Sequence, residues 1–348
     1  MRVLVTGHRG YIGSVVSAVL RHAACDVVGL DADLYGDCDF GRVQDPIPSF
    51  DCDLREVEFA DLVSFDAVVH LAGLSDDESG DWDPHLTHAI NQQATIQLAE
   101  CCKQAGVGRF IFASSCAVYG RAGSDAVDEA GAVRPLSLYA RTKLQCERGL
   151  SHLADDRFCP ISLRLATAYG VSPRLRLDTV VNDFVASAVT HGGIVMKTNG
   201  ASWRPLVHVE DVARVCLAVL TAPADVVHDQ VFNVVPLEEN YRIIDIADMV
   251  TESLLHCTRR ARAEEFDPRS YRVDGGKLLR AFPKLRFHWN VTAGIRQLIS
   301  AMRNAGLTTG DWRGDRYRRA LRLKAYRGIH AAPAPPRDPP RRIAALSW

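Results

Sequence analysis

Thr6-Gly7-His8-Arg9-Gly10-Tyr11-Ile12-Gly13 follows directly on the apolar run Arg2–Thr6 and leads into the helix-patterned stretch Ile12–His22. Strand, glycine-rich turn and helix in that order make a cradle for the pyrophosphate of a dinucleotide. Gly7 allows the tight turn, Gly10 lets the backbone approach the phosphates, and Gly13 lets the helix pack closely on the strand. The next apolar run ends in Gly29-Leu30-Asp31, eighteen positions past Gly13. A carboxylate there accepts both ribose hydroxyls and repels a 2′-phosphate, which favours NAD over NADP. Arg9, inside the glycine loop, argues the other way, since it can reach a 2′-phosphate; alternatively it is an exposed loop arginine with no ligand.

Outward from this turn, short β-branched runs at Val27–Leu30, Ala67–Leu71, Arg109–Ser114 and Ile161–Leu165 alternate with helix-length stretches at His85–Gln104 and Leu138–Ala154. Apolar, non-alternating strands separated by helices predict an α/β fold, a Rossmann doubly wound parallel sheet covered on both faces. The NAD-binding domain is expected over residues 1–170. Beyond Gly170 come a loop holding Pro173, Arg174 and Arg176, a helix at Val180–Thr190, a strand at Gly193–Met196 and a helix at Val209–Leu220. A strand at Gln230–Val235 and a helix at Ile243–Leu255 follow. Residues 171–310 therefore read as a smaller mixed α/β C-terminal substrate domain interleaved with the last sheet strands. Residues 311–348 form a basic C-terminal segment whose Ala-, Pro- and Arg-rich part, His330–Arg342, is expected to be a mobile tail, or else a partner-binding arm.

The 348 residues carry 41 Lys and Arg against 42 Asp and Glu, a net charge of −1 that gives no global attraction to nucleic acid or to an anionic membrane. An anionic ligand must be met by local arginines. The start of the chain lacks a signal-peptide pattern and no apolar run has membrane-spanning length, so a cytoplasmic protein is expected. Its ten cysteines include no CxxC pair and no Cys/His cluster at zinc spacing; they read as reduced, small hydrophobes, and no metal site is expected.

Tyr139-Ala140-Arg141-Thr142-Lys143 sets a phenol and an ammonium at i and i+4, on one helix face. A tyrosine hydroxyl needs a neighbouring cation to act as a base near neutral pH, and a lysine can also hold a nicotinamide ribose. The preceding strand ends in Phe112-Ala113-Ser114-Ser115-Cys116-Ala117-Val118-Tyr119-Gly120. A hydroxyl leaving the carboxyl end of a central parallel strand lies where doubly wound sheets bind ligands, so Ser115 can donate to a substrate oxygen while Tyr139 exchanges a proton with it.

With these residues in hand, the sequence resembles the extended short-chain dehydrogenase/reductase family, in its NAD-dependent nucleotide-sugar epimerase/dehydratase branch. The resemblance covers about residues 1–300. It rests on Thr6–Gly13, Asp31, Asp53-Leu54, His70-Leu71-Ala72-Gly73, Asn91, Ser114–Gly120, Tyr139/Lys143, Arg164 with Tyr169-Gly170, and Arg204 with His208-Val209-Glu210-Asp211. It implies that Gly7, Gly10, Tyr11, Ile12 and Gly13 line the pyrophosphate, Asp31 holds the adenosine ribose, and Asp53 and Leu54 sit at the adenine. Leu71, Ala72 and Gly73 would lie behind the cofactor, and Lys143 on the nicotinamide ribose. Ser115, Tyr139 and Lys143 would be catalytic. Asn182 resembles the family's substrate-diphosphate contact, Arg204 its nucleotide-phosphate contact, and Arg269 or Arg272 a second one. An ion pair of Arg204 with Glu210 or Asp211 is the structural alternative, and His208 reads as a packed turn histidine.

Dehydratases of this branch carry an Asp-Glu pair directly after the catalytic hydroxyl, where this chain has Cys116 and Ala117. Related epimerases use a cysteine near this point as a base, so Cys116 is either catalytic or packed. The resemblance implies a nucleotide-sugar 4-epimerase acting through a transient 4-keto sugar. An NAD(P)H-dependent 4-ketoreductase or epimerase-reductase is the alternative, and a non-catalytic dinucleotide-binding scaffold a more remote one. Sugar selection is expected in the loops Ser75–Asp83, with Asp76, Asp77 and Glu78, and Pro173–Asp178. A homodimer through the helices at His85–Gln104 and Leu138–Ala154 is likewise implied.

Overall fold

The computed structural model describes residues 1–41, 46–75, 77–261 and 266–329. The chain opens with β1 (Arg2–Thr6), α1 (Tyr11–His22), β2 (Asp26–Asp31), β3 (Ser49–Asp51) and β4 (Ala67–His70). It continues with α2 (Asp77–Trp82), α3 (Pro84–His88), a wide π-turn at Ala89–Ala94, α4 (Thr95–Gln104), β5 (Arg109–Ser115), β6 (Arg121–Val127), α5 (Leu138–Leu153) and β7 (Cys159–Leu165). Then come β8 (Thr167–Tyr169), α6 (Val180–His191), β9 (Gly193–Met196), β10 (Trp203–His208), α7 (Val209–Thr221), α8 (Ala224–Val227) and β11 (Gln230–Val234). The last described elements are β12 (Asn240–Arg242), α9 (Ile243–Glu252), β13 (Thr258–Ala261), β14 (Ser270–Val273), α10 (Gly276–Ala281), α11 (Val291–Asn304), α12 (Thr309–Arg313) and α13 (Arg319–Ile329).

Seven parallel strands form the main sheet in the order β3-β2-β1-β4-β5-β7-β11. From β1 the chain first builds outward through β2 and β3, then crosses back to β4 and builds the other way. That reversal leaves a crevice at the carboxyl ends of β1 and β4, the place where such sheets take their ligands. Register aligns the strand ends there: Thr6 pairs with His70 and His70 with Phe112.

Both sheet faces are covered, which explains the continuous apolar strands. On one face Val16 and Leu20 of α1 meet Val212, Val215 and Val219 of α7 over Val3, Val5 and Ile111. On the other, Leu98 and Cys102 of α4 join Cys146 and Leu150 of α5 over Leu4, Val68, Phe110 and Phe112. A separate cluster unites Val181, Phe184 and Val185 of α6 with Ile246 and Val250 of α9 and Ile295 and Leu298 of α11. The helix α7 and strand β11 pack on the sheet from beyond residue 170.

Three differences from the sequence reading have physical causes. The helix expected over His85–Gln104 widens at Ala89–Ala94, where Asn91 turns inward and brackets the loop after β4, accepting from Leu74 N and donating to Leu74 O, each at 2.8 Å. Strands β3 and β8 are three residues long, too short for periodicity to reveal. The basic segment after Asp311 is helical at Thr309–Arg313 and Arg319–Ile329, with contacts to the body from Arg316 to Lys324; the tail expected at His330–Arg342 lies outside the described residues. All ten cysteines are free, six of them buried. Among the described residues, no helix is long and apolar enough to cross a membrane.

Candidate active site

At the end of β1 the glycine loop closes tightly. Gly7 sits at φ +71°, and a Cβ there would lie 2.7 Å from the Ala72 nitrogen; a Cβ on Gly13 would lie 2.0 Å from the Gly7 oxygen. Only glycine fits either place, so α1 starts against β1 and its first turn comes up to the crevice. Gly10 caps α1 without a side-chain hydrogen bond, which leaves first-turn N–H groups to meet an anion. The Tyr11 ring turns inward, its hydroxyl donating to Gly170 O at 2.8 Å, so Tyr11 and Ile12 can serve a pyrophosphate through backbone only.

Asp31 ends β2 and joins two loops: one oxygen accepts from Arg9 N and the other from Asp33 N, each at 2.9 Å. Arg9 is not a loop arginine without partners. Its guanidinium pairs with Asp51 at 2.6 Å and Asp33 at 3.5 Å and donates to Ser49 Oγ at 3.2 Å. The ribose end of the crevice is therefore ringed by Asp31, Asp33 and Asp51 around a cation that is already engaged. Asp53 caps the short turn Leu54–Glu56 and is gripped by Arg55, which sets Asp53 and Leu54 just past β3. These features fit a dinucleotide without a 2′-phosphate. Opposite, the Leu71-Ala72-Gly73 loop hangs on Thr6, with Leu71 N donating to Thr6 O and Ala72 N to Thr6 Oγ1. His70 bridges Thr6 Oγ1 at 2.7 Å and Thr95 Oγ1 at 2.9 Å. Burial, with the Lys143 charge behind it, pushes the His70 imidazole down to about 3, so it is a neutral strut.

The groups expected to react lie around the end of β5 and the start of α5. Ser115 Oγ accepts from Ala117 N at 3.1 Å and donates to no described residue, so its proton is available. Helix α5 starts on a Ser137 cap, and its sheet-facing side carries Ala140, Lys143, Leu144 and Glu147. Lys143 Nζ donates to Ala113 O at 2.8 Å, two residues before Ser115, and lies 5.7 Å from the Tyr139 ring centre and 4.7 Å from that of Phe112. Burial lowers the ammonium to about 8, against the opposing pull of Cys146 and Glu147, so it remains largely charged at neutral pH. Tyr139 sits half-buried one turn above, at the crevice end of the helix.

Beneath these groups lies a polar knot that the sequence reading missed. Glu147 accepts from Arg164 Nε at 3.0 Å and Nη2 at 2.8 Å and from the Ser114 hydroxyl, while Arg164 Nη1 donates to Tyr119 OH at 2.9 Å. Both partners of this ion pair are buried, and together they tie α5, β5 and β7 into one frame. Position i+4 from Lys143 on the buried helix face was the available signal for Glu147. Cys116 belongs to this packing: it is 1% exposed, its thiol donates to Arg164 O at 3.2 Å, and burial pushes its pKa far up despite the Arg164 charge. Of the two readings of Cys116, the packed one fits this environment.

The expected substrate contacts fare unevenly. Asn182 is corrected: it is fully buried, accepts from Gly170 N at 3.0 Å and donates to Tyr11 OH and Arg176 O at 3.2 and 2.9 Å, so it positions the loop 170–178 and offers a diphosphate nothing. Arg204 pairs with Asp267 at 2.6 Å, not with Glu210 or Asp211. Arg269 also grips Asp267, at 2.8 Å, and reaches Asp77 of α2; Arg272 lies over the Trp203 ring at 5.2 Å. Arg204 and Arg272 lie on β10 and β14 and Arg269 just before β14, with Asp267 as the counter-ion of Arg204 and Arg269. Asp77 and Glu78 are ion-paired to Arg269 and Lys324; Asp76 lies outside the described residues. His208 is packed, stacked on Trp289 at 4.1 Å and bonded to Gln297.

The model of the NAD dependent epimerase/dehydratase family matches residues 3–234. Among curated proteins, the chain is 30% identical over 239 residues to an uncharacterized UDP-glucose epimerase, YtcB, of Bacillus subtilis (strain 168), across 64% of this chain and 73% of that one. Among solved structures, MoeE5 in complex with UDP-glucuronic acid and NAD matches with a TM-score of 0.76 and 26% identity, over 88% of this chain and 100% of that one. A UDP-glucose 4-epimerase of Thermus thermophilus in complex with NAD matches with a TM-score of 0.74 and 26% identity, over the same shares.

Proposed function

The chain belongs to the NAD-dependent epimerase/dehydratase family, and from that premise we propose that it epimerises a nucleotide sugar at C4 through a transient 4-keto sugar. Bound NAD supplies reversible oxidation and reduction at the sugar carbon. The chain's own groups do the rest: Tyr139 removes the proton of the 4-hydroxyl and later returns it, Ser115 donates to the same oxygen, and the Lys143 charge favours the phenolate. The single observation that supports this reading is the buried Lys143, which bonds Ala113 O two residues before Ser115 and lies 5.7 Å from the Tyr139 ring, at the carboxyl end of β5.

Holding of NAD by Gly7, Gly10, Gly13 and Asp31, and of the nucleotide phosphates by Arg204 with Arg269 or Arg272, belongs to the same proposal. So does a homodimer through the outer faces of α4 and α5. Relatives named for UDP-glucose or solved with UDP-glucuronic acid make these the first substrates to try. Protein purified without added cofactor should release NAD on denaturation and interconvert the C4 epimers with none added. The Tyr139→Phe variant should keep the NAD and lose turnover by about 10²-fold or more. Turnover that requires added NADH or NADPH would overturn the epimerase reading, and undiminished turnover in Tyr139→Phe would remove its base.

A further inference from the structure

Arg269 joins two parts of the chain that lie far apart in sequence. Its Nε and Nη2 donate to the two oxygens of Asp267 at 3.0 and 2.8 Å, and its Nη1 donates to Asp77 in the first turn of α2, 192 positions away. The two carboxylates are held very differently. Asp267 also accepts from Arg204 Nη2 at 2.6 Å and from Arg269 N at 3.0 Å. Against burial, the Arg269 and Arg204 guanidiniums hold its carboxyl below the usual range. Asp77 meets Arg269 with one oxygen; the other, Oδ1, is buried and has no hydrogen-bond partner among the described residues. A buried oxygen without a donor is costly, so Asp77 is the carboxylate that Arg269 can exchange for another anion.

Charge counting gives the consequence. Arg204 and Arg269 bring two positive charges, and Asp267 and Asp77 cancel both. With both carboxylates in place this pair offers a diphosphate no net charge; with Asp77 gone it offers one, together with the Nη1 edge that Asp77 had occupied. The helix that carries Asp77 is six residues long. Its Gly80 lies against the start of α5, where a Cβ would come to 3.7 Å from Tyr139 N. Its neighbour Glu78 is tied only by an exposed pair to Lys324, at 3.1 Å. The Arg269 contact is thus the long-range tie that fixes the first turn of α2 beside the reacting tyrosine.

We propose that Asp77 is an affinity-setting residue of the nucleotide-phosphate site: a built-in competitor that the diphosphate of the sugar nucleotide displaces from Arg269, freeing the first turn of α2 beside Tyr139. The assignment rests on the placing of that diphosphate at Arg204 and Arg269 proposed above. A ligand without a diphosphate brings nothing to replace the broken pair, so the competitor also screens such ligands out.

The test uses the full chain as purified, with UDP, TDP and GDP as probes. In calorimetric titration Asp77→Asn should bind the preferred nucleotide about 3-fold to 10-fold more tightly than the wild type, the range for a partly exposed ion pair. Its affinity should also fall more steeply between about 0.1 and 0.5 M salt, because the site carries more net charge. A residue that merely braces its loop would weaken binding when replaced, so the sign of the change separates the two roles. Hydrogen exchange on the wild type needs no variant, and the α2 peptide Asp77–Trp82 should lose protection when nucleotide binds. Weaker or unchanged binding by Asp77→Asn, or an α2 peptide that keeps or gains protection, would overturn the competitor alone, provided that Arg269→Ala binds nucleotide about 10-fold or more weakly. Nucleotide affinity unaltered in Arg269→Ala, or a wild-type chain that binds none of the three probes, would overturn the proposed phosphate site and the competitor with it.

Discussion

Replacing Asp31 by asparagine should relax the choice between NAD and NADP, and the structure sets the size of the effect. A 2′-phosphate placed at the end of β2 would face Asp31, Asp33 and Asp51, with the Arg9 guanidinium already paired to the last two. At an effective dielectric constant of about 20, two unit charges roughly 5 Å apart interact by about 3 kcal/mol. Asp51, with its side chain 72% exposed, is largely screened, as is Asp33 in part, so the repulsion falls chiefly on Asp31. The wild-type protein should therefore prefer NAD by about 100-fold, and Asp31→Asn should reduce the ratio to within about 5-fold. Asparagine has one carbonyl oxygen where Asp31 uses two, for Arg9 N and Asp33 N, so both cofactors will bind somewhat more weakly. The ratio, and not either affinity, is the readout. Adding Asp51→Asn removes the closer of the two carboxylates that hold the Arg9 guanidinium and should shift the preference further toward NADP. Calorimetric titration of NAD-free protein with each cofactor, at low and high salt, measures all three ratios. A wild-type protein that binds NADP as well as NAD, or an Asp31→Asn variant that keeps the 100-fold ratio, would refute this account of selectivity.

Two further outcomes follow from the buried groups. The Lys143 ammonium is held at about 8, below its ordinary 10.5, so between those values the unfolded chain binds more protons than the folded one. Stability of the NAD-free protein should then rise with pH across that window by up to about 3 kcal/mol, and Lys143→Met should abolish the rise; parallel pH profiles from urea unfolding of the two proteins would contradict it. Cys116→Ala should cost about 1–2 kcal/mol in the same unfolding assay, through a small cavity and the lost contact to Arg164 O, while turnover stays within about twofold; a fall of two orders of magnitude would restore the catalytic thiol.

What could be read in the sequence divides along the range of the interaction. The glycine loop, the strand-end Asp31 and the Tyr139/Lys143 pair are local devices, in which neighbours a few residues apart determine the geometry. Asn182 shows the opposite. A polar side chain near a helix start suits a phosphate contact or an inward brace equally, and the choice is made by Gly170, Arg176 and Tyr11, the last 171 positions away. Arg204 likewise found its carboxylate at Asp267, across 63 positions, and not at the nearby Glu210 or Asp211. The basic C-terminal segment is the extreme case: nothing local to Arg316 names its carbonyl partners, 277 and 279 positions upstream.

The family's name covers both epimerisation and dehydration, and the turn after Ser115 is where this chain parts from the second. Epimerisation at C4 moves one proton off an oxygen and back onto the same oxygen, so a single phenol serves both directions. Elimination asks for two more transfers, one from a carbon beside the ketone and one to the departing hydroxyl, each needing a titratable group within reach of the sugar. The backbone here is bent into a short turn, Cys116–Tyr119, that starts on the Ser115 cap. Cys116 is turned down into the core beneath Arg164, with its thiol held protonated by burial, and Ala117 has no proton to exchange. The carboxylate next in line, Glu147, is consumed by Arg164 and Ser114. Freeing it for chemistry would leave a buried guanidinium unpaired, at a cost of about 3–5 kcal/mol that would fall on the frame holding Ser115 and Lys143 in place. The same ion pair that makes the hydroxyl chemistry rigid thus withholds the acid that water loss would need.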